Sequence, residues 1–202
     1  NRRGRGEGPR PIGVGFDPLV PSEDPDDDDP PLQVADASAE QLIKAAGKSA
    51  PKGISAEAMA DALQAAWRAF HAGEFEQAFI LGTALGPIGT SVAAKALGIH
   101  ATYLVKNADD RLARFEQAAQ MAEQAVAALP KEANSHYRLA FGYGRYGQGI
   151  SIAKALSTGL AGKIKTALDA CLKLEPKHAE AHLASALWHA EIINKVGGTL
   201  AG

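Results

Sequence analysis

In His178-Ala179-Glu180-Ala181-His182 two histidines stand one helical turn apart, the spacing by which a helix presents two imidazoles to one zinc ion. A zinc peptidase also needs a glutamate directly after the first histidine and a third ligand. Glu180 stands one position too late, although His189 follows His182 at i+7. His136 occupies the same place after its own proline as His182 does, so packing or surface roles suit both, and no metal is expected. Gly142-x-Gly144-x-x-Gly147 has the spacing of a dinucleotide fingerprint, which works only where a strand ends and a helix begins. These glycines instead follow an expected helix, so they are read as points of close approach, of bending or of a shaped insert, and no cofactor is expected. There is no serine elbow with histidine and aspartate partners, and no paired carboxylates are evident. Cys171 lies at an apolar helix position and reads as a small buried hydrophobe. What remains is a group of basic and aromatic side chains, Tyr137, Arg138, Tyr143, Arg145 and Tyr146, whose types combine contact area with hydrogen bonding. This group is the candidate partner-binding surface.

The elements that would position these residues are marked by self-similarity. Ala128-Leu129-Pro130-Lys131 is followed by Ala133, His136 and Ala140, and 46 residues later Leu174-Glu175-Pro176-Lys177 is followed by Ala179, His182 and Ala186. Each copy reads as a helix end, a proline-marked turn and an alanine-rich helix that lies close to its neighbours. A further pattern stands upstream in Trp67, Phe70, Gly73-Glu74-Phe75-Glu76-Gln77-Ala78 and Pro87. Together these resemble tetratricopeptide (TPR) repeats, helix hairpins of about 34 residues with small residues at the crossings. The longer spacing leaves about 12 residues beyond a TPR unit, in Gly142 to Gly149 and Ile150 to Gly162. In this the chain is similar to the divergent TPR-like proteins that include the T component of TRAP transporters and the regulator-of-microtubule-dynamics family. The resemblance covers roughly Ala58 to Gly202. It implies an all-α fold of helix hairpins in a right-handed superhelix whose first helices line the concave face.

Composition narrows the function. Alanine supplies much of the 46% hydrophobic content and aromatics make up 6% of the 202 residues, which suits closely packed helices. A net charge of −2 gives no electrostatic case for nucleic acid, and no apolar run is long enough to span a membrane. The sequence starts at Asn1 rather than methionine. A removed signal peptide explains that and favours an extracytoplasmic place, and a trimmed terminus explains it equally.

Residues 1–53 differ from the rest. Arg2, Arg3, Arg5 and Arg10 form a basic tip, Ile12, Val14, Phe16, Leu19 and Val20 are apolar among glycines and a proline, and Asp24 to Asp29 is acidic. Such a segment cannot pack a core of its own and reads as an extended arm whose apolar residues anchor it by docking. The acidic run lacks the glycine and terminal glutamate of an EF-hand loop and reads as a solvated linker. One short helix is expected over Asp36 to Gly47, with Ser38 and Gln41 as its capping box.

Residues 54–202 then form the repeat domain. Ser55 caps a helix to about Ala72, carrying Met59, Leu63, Trp67 and Phe70 at helical spacing. Gly73 breaks the chain, Glu74 to Leu85 returns, and Pro87 opens a helix that Asn107 ends near Lys106. The next, from Asp109 or Asp110 to Leu129, has Leu112, Phe115, Ala119, Ala122 and Val126 on one face. Lys131 to about Tyr146, Gly162 to Leu174 and Lys177 to about Lys195 complete the set. The last hairpin reads as incomplete, so continuation past Gly202 or cover from another chain is expected. The expected function is a non-catalytic protein-interaction scaffold that assembles with copies of itself, as a ring or filament, through the arm. The rivals are an extracytoplasmic accessory subunit of a solute transporter, from the resemblance alone, and a metal-dependent enzyme built on His178, Glu180 and His182.

Overall fold

The computed structural model describes residues 36–200, and these form nine α-helices with no strand among them. The arm residues Ile12, Val14, Phe16, Leu19 and Val20, and the acidic run, lie outside the described residues. The helices are α1 (Asp36–Ala46), α2 (Ala56–His71), α3 (Phe75–Ala84), α4 (Thr90–Tyr103), α5 (Ala108–Ala128), α6 (Ala133–Gly149), α7 (Ile152–Ser157), α8 (Leu160–Leu174) and α9 (Ala179–Leu200). The all-α reading therefore holds.

Most helix starts follow from local chemistry. The Ser55 hydroxyl accepts from the Ala58 amide at 3.1 Å, satisfying one of the free amides that begin α2. Gly73 supplies the left-handed residue (φ 79°) that lets α3 fold back. Two expected ends move. Asn107 does not close α4 but opens α5, because its Oδ1 accepts from the Asp109 and Asp110 amides at 2.8 and 3.0 Å. The helix α1 starts at Asp36, which places Ser38 inside it rather than ahead of it.

Each helix packs on the next in the order α2, α3, α4, α5, α6, α8, α9, and α2, α4, α6 and α9 also touch one another in turn. The core is a chain of small clusters threaded between these helices. Ala66, Ala69, Ala78, Val92 and Ala96 join α2, α3 and α4, and Tyr137, Ala140, Ala167, Leu168, Cys171 and Ala181 join α6, α8 and α9. Ala39 and Ala46 of α1 share a cluster with Met59 and Leu63 of α2. The short helix assigned from sequence to the arm therefore belongs to the helical unit, and the boundary at residue 53 is too late. At the far end Leu183 and Ile193 of α9 keep 54% and 70% of their surface exposed.

The joint between α3 and α4 is made by main chain. Pro87 stands in a 3-10 turn, Gly86–Gly89, ahead of α4 rather than in its first turn. A Cβ on Gly89 would fall on the Gly82 carbonyl oxygen, and one on Gly82 would lie 2.9 Å from the Gly89 oxygen. Gly144, within α6, faces open space. Gly89→Ala is therefore expected to cost about 3 kcal/mol or more, because backbone must move, whereas Gly144→Ala should stabilise by up to about 1 kcal/mol through helix propensity. Urea denaturation of both variants checks this pair of opposite signs.

Candidate functional site

The two similar turns carry the same bonds. The Leu129 amide donates to Ala125 O at 2.7 Å and the Glu132 amide to Leu129 O at 3.0 Å, while Glu175 donates to Cys171 O at 2.8 Å and His178 to Glu175 O at 3.1 Å. His136 Nε2 lies 2.9 Å from Pro130 O, and His182 Nε2 lies 2.8 Å from Pro176 O. A carbonyl can only accept, so both rings carry their proton on Nε2 and clip the helix to the turn before it. At the helix starts, Glu132 accepts from the Asn134 and Ser135 amides, and His178 Nδ1 accepts from the Ala181 amide at 3.2 Å. His178 Nε2 then donates to Asn134 Oδ1 at 3.1 Å. These histidines are thus occupied in turns and caps, and no group of three metal-ligating side chains occurs among the described residues. Gly142, Gly144 and Gly147 lie inside α6, where the amides belong to the helix and cannot cradle a phosphate. Gly142 serves close approach instead, since its Cβ would lie 2.7 Å from the Ala119 nitrogen of α5.

The five basic and aromatic residues do not form one surface. Tyr137, Arg138 and Tyr146 are buried, and only Tyr143 and Arg145 keep part of their surface. Tyr146 belongs to the cluster with Ala101, Phe115 and Leu160. The Tyr143 hydroxyl donates to Glu123, and Lys163 sits over its ring at 5.2 Å. Arg145 turns to the other side, donating to Thr102 Oγ1 at 2.8 Å and to Gln148 Oε1 at 3.2 Å.

Arg138 marks a charged part of the row α2, α4, α6 and α9. Its guanidinium stacks on Tyr137 at 4.9 Å, donates from Nε to Ser91 Oγ at 3.4 Å, and lies 3.9 Å from Glu180 Oε2. Glu180 Oε1 is also 3.6 Å from Lys95 Nζ, which sits over the Phe70 and Trp67 rings at 5.3 and 5.8 Å. Two cations thus share one carboxylate beside two half-buried aromatic rings. Burial pulls the Arg138 pKa down and Glu180 opposes it. Lys95 is lowered by burial first and by the Arg138 charge second. Tyr137 is pushed up to about 12, by burial and then by Glu180. A buried cation with only long contacts to protein acceptors is costly, and a further oxygen acceptor would offset that cost.

Sequence reasoning passed over Ser91 and Lys95 and gave Trp67 and Phe70 as residues at helical spacing. The one available signal was Lys95 itself, the only acidic or basic residue other than histidine in the apolar α4. The Cys171 thiol is pushed up to about 11, chiefly by burial, which keeps it a neutral thiol near pH 7. A raised thiol pKa adds stability that is fully present below the usual value of 9.0 and lost as pH climbs towards about 11. The stability difference between the native chain and Cys171→Ala should therefore be constant up to about pH 9 and shrink by on the order of 1–2 kcal/mol above it, measured by urea denaturation across that range.

Comparison with protein-family models, curated proteins and solved structures gives no match to this chain.

Proposed function

We propose that the chain is a non-catalytic protein-interaction module that receives a partner polypeptide along α2, α4, α6 and α9, the partner being another copy reached through the N-terminal arm. The observation that carries this reading is the sharing of Glu180 by Lys95 and Arg138 beside Trp67 and Phe70. Such a face suits a segment that brings both carboxylates and apolar side chains. The arm has both, in Asp24 to Asp29 and in Ile12, Val14, Phe16, Leu19 and Val20. An arm of one copy seated on the next is a head-to-tail contact, which generates rings or filaments.

The same reading takes α2–α3, α4–α5 and α6–α8 as successive hairpins of a TPR-like right-handed superhelix. Its support is the contact of every first helix with the next, together with turns 46 residues apart that repeat their hydrogen bonds. The insert of this elongated form is α7, which packs on α8.

Size-exclusion light scattering on three proteins tests the proposal: the whole chain, the chain without residues 1–31, and Lys95→Glu. The whole chain should assemble, and the other two should run as monomers with unchanged helical circular dichroism. Assembly that persists without residues 1–31 would overturn the role of the arm, and a whole chain that stays monomeric would overturn self-association.

A further inference from the structure

A second cationic feature lies away from Lys95 and Arg138, in an open cleft of about 280 Å³ lined by Thr102 of α4, by Ala108, Arg111, Leu112 and Phe115 of α5, and by Arg145, Gln148 and Gly149 of α6. It holds two arginines and no carboxylate among its lining residues. Among the described residues neither guanidinium has an acidic side chain in ion-pair contact. Gln148 accepts from Arg145 and donates to Glu191 Oε1 at 3.2 Å, so the carboxylate beside the cleft reaches Arg145 through an amide.

Arg145 is held in place before any ligand arrives. Its guanidinium lies over the Phe115 ring at 5.3 Å, one nitrogen donates to Thr102 Oγ1 and another to Gln148 Oε1. Thr102 is itself fixed, because its hydroxyl donates to Gly98 O at 2.7 Å. An arginine stacked and bonded on two sides has already given up the freedom that binding would otherwise cost it. Its remaining N–H groups are free of protein carboxylates; burial lowers the Arg145 pKa most, Tyr103 opposes that, and Arg111 adds a second charge close enough to lower it further. The Asp109 and Asp110 amides near the start of α5 do not contribute, since both are occupied by Asn107.

We propose that this cleft binds a small oxyanion, a phosphate or a carboxylate, held between the guanidiniums of Arg111 and Arg145. Thr102, Gln148 and Phe115 are positioning residues that aim Arg145 and do not themselves bind the anion. The apolar walls from Leu112 and Phe115 exclude part of the surrounding water, which strengthens charge-assisted hydrogen bonds to the oxyanion. The site is independent of the partner-binding face, so either can fail without the other.

The test is a titration of the whole chain, followed by amide and arginine side-chain NMR, with inorganic phosphate in one arm and succinate in the other. Saturable shifts confined to the surroundings of Thr102, Arg111 and Arg145 are expected in at least one arm. Saturation by phosphate alone assigns a phosphate ligand, and by succinate alone a carboxylate ligand. Arg111→Gln, at a partly exposed position that makes none of the Arg145 contacts, should weaken binding roughly tenfold or more with the fold intact. Arg145→Lys should weaken it as well, since an ammonium ion keeps the charge but not the fork. No saturable shift in either arm up to millimolar concentration, or equal affinity in Arg111→Gln, would overturn the proposal.

Discussion

Close approach between helices faced with alanine and glycine is the constraint on which this structure rests. Buried alanines line nearly every crossing, and the largest fully buried side chains are only Met59, Leu168, Val92 and Cys171. A small side chain removes little apolar area from water, so each such position contributes less than a buried leucine would. Stability has to come from the density of contacts that short side chains permit between backbones. That is why Gly82 and Gly89 meet through their main chains and why Gly142 lies against Ala119. It is also why α4 is buried on nearly every side, with Val92, Ala93, Ala94, Ala96, Leu97 and Ala101 all enclosed.

The charged residues make sense within that tight frame. Tyr137 and Arg138 enter from α6 where α4 and α9 flank it, so their burial is imposed by the helices around them rather than by their own chemistry. The residues of this network come from separate helices, Ser91 and Lys95 from α4 and Glu180 from α9. A polar network of this kind ties the spacing of α4, α6 and α9 to the positions of a few atoms. Arg145 is set in the same manner by Thr102 of α4 and Phe115 of α5. The two cationic features therefore share a principle, a cation from α6 aimed by its neighbours, while facing different parts of the molecule.

Much of the helical frame could be read from sequence where short-range chemistry decides it. Ser55 as a cap, Gly73 as a break and the turns at Pro130 and Pro176 each depend on a few neighbouring residues. Asn107 was misassigned because asparagine serves equally at either end of a helix, and only the two amides on its Oδ1 decide the matter. The orientation of α4 was illegible because a helix that is apolar all round has no face to read. The candidate surface was partly misjudged for the opposite reason. Tyrosine and arginine look like surface residues in a sequence, and the burial of Arg138 depends on residues of α4 and α9 far away along the chain.

The segment between α6 and α8 has a different character from the tight joints around it. The helix α7 packs on α8 and leaves Leu156 65% exposed, and Gly159 turns the chain through φ 63° with nothing near its absent side chain. The pairing of α6 with α8 is made largely by residues on either side of that turn, among them Tyr137, Ala140, Ala167, Leu168 and Cys171. For an engineer this makes the Thr158–Gly159 turn the natural port of the molecule. A peptide tag, a fluorophore or a whole foreign domain could be inserted there with little strain, whereas the Gly82 to Gly89 joint has no room for even one added methyl group.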